Sequence, residues 1–427
     1  MPKHILIMGA TGVAKSAALV NVLEYLKQTE SVAPSIEVLH FEADFVRPLV
    51  GDEFHDYLDA LDPAQQDYWN TAWTKLVERL QKTPSSADVI ICLHGILARP
   101  IYGIRSPVYI PRLIDDFKPT SVFTLIDDVY SMWLRTEKRA HGVNEAGNPT
   151  SGYDYVGRPS LEQLLAARRA ELLLADVMAR NCLPKSSVRN YVVAINHPAR
   201  TLARLVIGRH DLRPVYLSFP ISGPRRLLSE HGDRAGIDEV NSFLRTATEF
   251  ERLNAKIVFF CPLTIDELAL TSLKVCGKPK KHIRFPLSLR WNVRDFYGPD
   301  ERLLCDSKEH PMPGVINLVT KQVQDALPCL GADLATRDYR LVLQSKRLAI
   351  FNPWFKDKET AGVRNEITCA QFHGIPSHIY QDPKHDRKNR ARAELRPRAG
   401  SLGPKPGSEL VIFHKSIEEL FKALLDP

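Results

Sequence analysis

The sequence predicts an α/β protein made of two doubly wound parallel-sheet domains, one over about residues 1–210 and one over about 211–427. Three observations predict it. In the first half β-rich runs alternate with helical stretches. A fresh strand starts at Pro214, after the helix-like "LARLVIGRHDLR". Each half opens with a strand that runs into a glycine-bearing turn or loop, followed by a helix in the first half and a polar segment in the second.

The bulk numbers agree with this division. A chain of 427 residues with 44% hydrophobic composition has enough apolar surface for two or three cores. The net charge of +7 is mild for this length, and anionic small molecules explain it as well as nucleic acid does. Cys92, Cys182, Cys261, Cys276, Cys305, Cys329 and Cys369 form no CxxC pair, which points to reduced thiols and a cytoplasmic protein. No apolar run reaches membrane-spanning length, so no membrane partner is expected.

"KHILIMGATGVAKSAALVNVLEYL" is a buried strand, a glycine turn and a helix with apolar residues at helical spacing. Gly9, Lys15 and Ser16 fit the phosphate-loop pattern GxxxxGK[ST], in which backbone amides and a helix N-terminus cradle phosphates. Lysine would supply charge to the terminal phosphates, and the serine hydroxyl could ligate magnesium. One departure is plain: Ala14 stands where the pattern has its second glycine, and Gly12 comes two residues earlier. The competing reading is a Rossmann-like turn with an incidental lysine.

Four further runs, "IEVLHFEADF", "ADVIICLHGI", "TSVFTLIDDVY" and "RNYVVAINHP", complete the first sheet. Arg135 and Arg139 follow one of them, one helical turn apart, where arginine forks suit polyphosphate charge. In these features the half resembles the nucleotide-kinase branch of P-loop proteins. The resemblance implies ATP or another nucleoside triphosphate, with Mg2+, bound by Gly9, Gly12, Lys15, Ser16, Arg135 and Arg139. His94 stands where a metal-organising aspartate is expected, leaving Asp127 and Asp128 as candidates for that role.

The second half opens with "RPVYLSFPISGPRRLL", a strand and a loop of small residues and arginine. The helix "GIDEVNSFLRTATEFERL", the strand "AKIVFFCPL", an insertion over about 275–313, and a predicted helix "GVINLVTKQVQDAL" follow. Next come "TRDYRLVLQSKRLAIFNPWF", a helix opening at Thr360, and the strand "PSHIYQD". A basic segment over about 384–408 reads as a mobile loop. A last strand and amphipathic helix close the chain.

Four features here, in order, resemble the nucleoside 2-deoxyribosyltransferase family, in particular its 2'-deoxynucleoside 5'-monophosphate N-glycosidase branch. They are the tyrosine and loop of Tyr216, Ser222, Gly223 and Arg225; Asp338 ahead of an apolar strand; Thr360, Gly362 and Glu366 in an S-x-G-x-x-x-E arrangement; and the helix running on into "ITCAQFHGIPSHIY". The resemblance implies a flavodoxin-like glycosidase domain with Glu366 as nucleophile at C1' of the sugar. Asp338 would touch the sugar hydroxyl or assist the leaving base, and Tyr216 would orient the nucleophile. Ser222, Gly223, Arg225, Thr360 and Gly362 would hold a 5'-phosphate. Taken singly each residue has an ordinary explanation: a first-turn glutamate complements the helix dipole, a strand tyrosine fills core, an aspartate caps a helix.

The expected activity is hydrolysis of the N-glycosidic bond of a nucleoside 5'-monophosphate, joined to a domain that binds a triphosphate. Base exchange by deoxyribosyl transfer is one alternative; a nucleotide kinase or a non-catalytic nucleotide sensor is another. The glycosidase half needs no cofactor. A homo-oligomer and nucleotide substrates are the expected partners, and nucleic acid is not.

Overall fold

The computed structural model describes residues 3–29, 35–51, 62–84, 86–99, 103–140, 159–181, 188–208, 211–267, 270, 282–286, 290–305, 315–395 and 410–426. The chain is α/β. Its first compact unit is formed by Met1–Val206, Ala269–Arg290 and Arg302–Asp333, its second by Ile207–Leu268, Trp291–Glu301 and Leu334–Pro427. A single cut near residue 210, expected from the sequence, misses two returns of the chain to the first unit.

Five parallel strands make the sheet of the first unit: β1 His4–Met8, β2 Ile36–His40, β3 Asp88–Leu93, β4 Ser121–Ile126 and β5 Arg189–Ala194. Their spatial order is β2-β3-β1-β4-β5. The central strands β1, β3 and β4 are almost wholly buried, as apolar runs covered on both faces must be. The helix Lys15–Thr29 follows β1 and buries Ala18, Leu19, Val22 and Leu26, one face of a helix.

The returning segments explain the non-contiguous unit. Leu304 N donates to His197 O at 2.9 Å, Cys305 N to Ile195 O at 3.0 Å, and Asn21 Nδ2 to Leu304 O at 3.2 Å. Strand His282–Pro286 pairs antiparallel with Val315–Val319. The sequence places residues 315–319 in a helix; their alternating burial and β-branched side chains make them a strand, and the helix Thr320–Leu343 begins directly after. Much of the expected insertion, residues 271–281, 287–289 and 306–314, lies outside the described residues.

The second unit repeats the architecture with β6 Arg213–Ser218, β7 Ile257–Phe260, β8 Arg347–Phe351, β9 Ser377–Tyr380 and β10 Val411–His414. These are parallel in the order β10-β9-β8-β6-β7. The chain leaves β6 toward β7 on one side and continues at β8 on the other, so the strand order reverses between β6 and β8. In open parallel sheets a crevice forms at the carboxyl ends of such a strand pair.

Part of the basic segment is built, against the expectation of a loop throughout. Asp386 accepts from Arg390 N at 2.8 Å and Ala391 N at 2.7 Å, starting the short helix Arg390–Glu394, and Ala391 and Leu395 are buried. Residues 396–409 lie outside the described ones. No helix among the described residues is long and apolar enough to cross a membrane.

Candidate functional site

Two hydroxyls from one strand meet one carboxylate at the reversal point of the second sheet. Tyr216 Oη donates to Glu366 Oε1 at 2.8 Å, and Ser218 Oγ donates to Glu366 Oε2. Tyr216 and Ser218 are two residues apart on β6, hence on the same face, beside Leu348 and Ile350 of β8. Ser218 is the residue that sequence reasoning missed. The signal was available in that period of two.

Glu366 is carried by the helix Ala361–Phe372, one turn in from its start, and is only 9% exposed. The segment between β8 and this helix is a hairpin, with Trp354 opposite Glu359 and Phe355 opposite Lys358. Lys356 and Asp357, at φ 50° and 60°, form its two-residue turn. Thr360 N then donates to Pro353 O at 2.9 Å, tying the hairpin's exit to its entry and fixing where the helix starts.

The electrostatics set Glu366 apart from an ordinary helix glutamate. Burial, then the negative charge of Asp338, pushes its carboxyl up from 4.5 to about 8, while the Ser218 and Tyr216 hydroxyls and Arg337 act in the other direction. The Tyr216 phenol is pushed well above its usual value by burial and by the charges of Glu366 and Asp338. Asp338, on the helix Thr320–Leu343, acts on both. Arg337 holds Asp338 through Nε at 2.9 Å and Nη2 at 2.8 Å, and its Nη1 donates to Ile265 O at 3.2 Å.

The expected phosphate ligands divide. Ser222 opens the helix Ser222–His231 and Thr360 is the N-cap of Ala361–Phe372, where its side chain makes no capping bond. Gly362 is exposed in that helix's first turn, with nothing within 4 Å of the place a Cβ would take. Gly223 packs on Phe355, whose Cδ1 would lie 3.1 Å from a Cβ. Arg225 is a correction: its guanidinium is bound to both oxygens of buried Asp266 at 2.6 Å, so its charge is neutralised inside the fold.

In the first unit Lys15 is buried, 5% exposed, and its Nζ donates to Gly9 O at 2.7 Å. Gly12 has φ +88°, and a Cβ there would lie 2.9 Å from Met132 O, so this turn requires glycine. Arg135 does not reach outward as a lid arginine would. It donates to Gly12 O and forms a buried ion pair with Asp127, propping the loop from behind. Arg139 lies on the helix Val129–Ala140, and its side chain is outside the described residues.

Magnesium fits this unit poorly. Asp127 is taken by Arg135 and Asp128 by Arg290, while Glu42 accepts from His94 N at 2.7 Å. Ser16 is exposed on the first helical turn, and no group of three His, Cys, Asp or Glu residues suited to a metal ion occurs among the described residues. A polyphosphate anion fits better, through Lys15 and the amide-rich turn before its helix.

Comparison with known proteins adds little to this geometry. No protein-family model matches the sequence, and no curated protein does. Among solved structures the chain is similar to one from Listeria monocytogenes described as a UDP-N-acetylglucosamine 2-epimerase. The match has 10% identity, covers 100% of this chain and 89% of that one, and has a TM-score of 0.22. A likeness of that size carries no argument about fold or activity.

Proposed function

We propose that the second unit hydrolyses the N-glycosidic bond of a nucleoside 5'-monophosphate, with Glu366 as nucleophile. The observation that carries this reading is the pair of hydroxyls, Tyr216 and Ser218, fixed on one buried carboxylate at a strand-order reversal. Any buried carboxylate needs donors; the second carboxylate, Asp338, whose charge works against ionising Glu366, brings a structural glutamate no gain. The two hydroxyls hold the nucleophile in one rotamer.

In the proposed reaction a Glu366 oxygen forms a bond to C1' as the bond from C1' to the base nitrogen breaks. The base leaves with the electron pair and takes its proton from solvent, while the Asp338 carboxylate, held by Arg337, accepts a hydrogen bond from the sugar hydroxyl. Water then attacks C1', its proton passes through the Asp338 carboxylate to solvent, and the bond from C1' to Glu366 breaks, releasing the carboxylate and the sugar 5-phosphate. The hydroxyls of Ser222 and Thr360, each at the first turn of a helix, support recognition of the phosphate. If a second base outcompetes water at the same glycosyl intermediate, the outcome is base exchange, the alternative reading.

For the first unit we propose polyphosphate binding without rapid turnover. Ala14 in the loop and the pairing of Asp127 and Asp128 with arginines favour a binding role over a kinase. The deciding experiment for the second unit is chromatography of free base after incubation with a panel of (deoxy)nucleoside monophosphates. Release by wild type and none by Glu366→Gln supports the proposal; equal release by both ends it.

A further inference from the structure

Behind the phosphate loop lies a carboxylate that the loop pattern does not call for. Glu171, on the helix Leu161–Asn181, is 0% exposed. Its Oε1 accepts from Gly95 N at 3.0 Å, its buried Oε2 has no donor in good geometry, and the nearby Gly9 and Ile96 amides also favour the charged form. The approach is built in: a Cβ on Gly95 would lie 2.9 Å from Glu171 Oε1, 2.7 Å from Leu174 Cδ2 and 2.4 Å from Met8 Cε. A glutamine could accept the same amide without a charge. What glutamate adds is the charge, and the cation acting on it is Lys15.

We propose that Glu171 is the internal counter-ion of the phosphate loop: it competes with a bound polyphosphate for Lys15 and so sets nucleotide affinity in the first unit. This rests on the polyphosphate reading of that loop. With no phosphate in place the buried lysine is held charged by its negative neighbours, Glu42 and Glu171. When phosphates arrive they meet the same neighbour as a repelling charge, in surroundings that screen it weakly.

The other titratable groups around this space are Glu42 and Asp44 after β2, and Cys92 and His94 at the end of β3. Burial would raise Glu42, but His94 and Lys15 outweigh it and hold it ionised below its usual value. Burial pushes the Cys92 thiol up to about 12, which keeps it neutral. Glu171 can change charge near neutrality, since burial lifts its carboxyl to about 7 against the opposing pull of Lys15.

The test is calorimetric titration of the full chain with ATP and with inorganic triphosphate, between pH 6 and 8. Wild type, Glu171→Gln, Glu171→Met and Lys15→Ala are compared, with melting temperatures as the folding control. Both Glu171 variants should bind about tenfold more tightly than wild type at pH 8. The gap should close toward pH 6, where the wild-type carboxyl has taken up its proton. Lys15→Ala should abolish the gain when combined with Glu171→Gln. If wild type binds through Lys15 but folded Glu171 variants bind no better at pH 8, the counter-ion role is wrong and the polyphosphate reading stands. If neither wild type nor the Glu171 variants bind either probe, both are wrong.

Discussion

Tyr216 and Ser218 each hold one oxygen of Glu366, which makes their separate removal informative. Both favour the ionised carboxylate, so losing either should raise its pKa further. For a nucleophile that acts as the anion, kcat/KM of wild type should climb with pH to a plateau, with its midpoint near 8. Tyr216→Phe and Ser218→Ala should each lower the plateau by roughly 10- to 100-fold and move the midpoint upward. A pH–rate profile of the three proteins checks this; a midpoint that moves downward would exclude the nucleophile assignment.

Stability gives an independent reading of the same carboxyl. Its folded pKa of about 8 lies above its ordinary 4.5, so the folded chain binds the proton more tightly than the unfolded one. The stability this contributes is complete below about pH 4.5 and is lost as pH rises through about 8. Glu366→Gln keeps the shape and removes the charge. It should therefore be more stable than wild type at pH 8 to 9, by on the order of a few kcal/mol, seen as a higher melting temperature. At pH 4 the two should melt together. An inactive variant that melts higher is the pattern of a residue retained for chemistry at a cost to the fold.

At the scale of elements, the strands were legible because parallel strands buried on both faces appear as apolar runs, and "HILIM", "DVIICL" and "SVFTLI" are such runs. The helix carrying Glu366 was legible from Thr360 onward. What periodicity does not report is pairing between distant segments, so the strand Val315–Val319 merged with the helix behind it. The partner of a lone arginine is equally silent: nothing near Arg225 in sequence points to Asp266. Gly95 offers a test at this scale. Gly95→Ala would press on Leu174 and Glu171, and should cost about 1–3 kcal/mol in a denaturant titration.

For the whole molecule, the two proposed ligand sites, one in each compact unit, predict two separable responses. A nucleoside triphosphate should raise the melting midpoint in a way that Lys15→Ala abolishes and Glu366→Gln leaves intact. A deoxynucleoside monophosphate should raise it in Lys15→Ala as in wild type. Thermal-shift curves of the two variants against both ligands check this, and loss of both responses in either variant would mean that the sites are not independent.

The first unit takes in the chain as far as Asp333, although its fifth strand ends at Ala194. During synthesis, then, the nascent polypeptide cannot finish that body until well over a hundred further residues have left the ribosome. At about 5–20 residues per second, Ile195 and His197, just past β5, wait about 5–20 s for the stretch around Leu304 that bonds to them. Ribosome-stalled chains ending after residue 210 should be cut by protease within the first body, whereas those extended beyond residue 333 should resist. A gene divided at the midpoint would leave the first body without the segments that complete it.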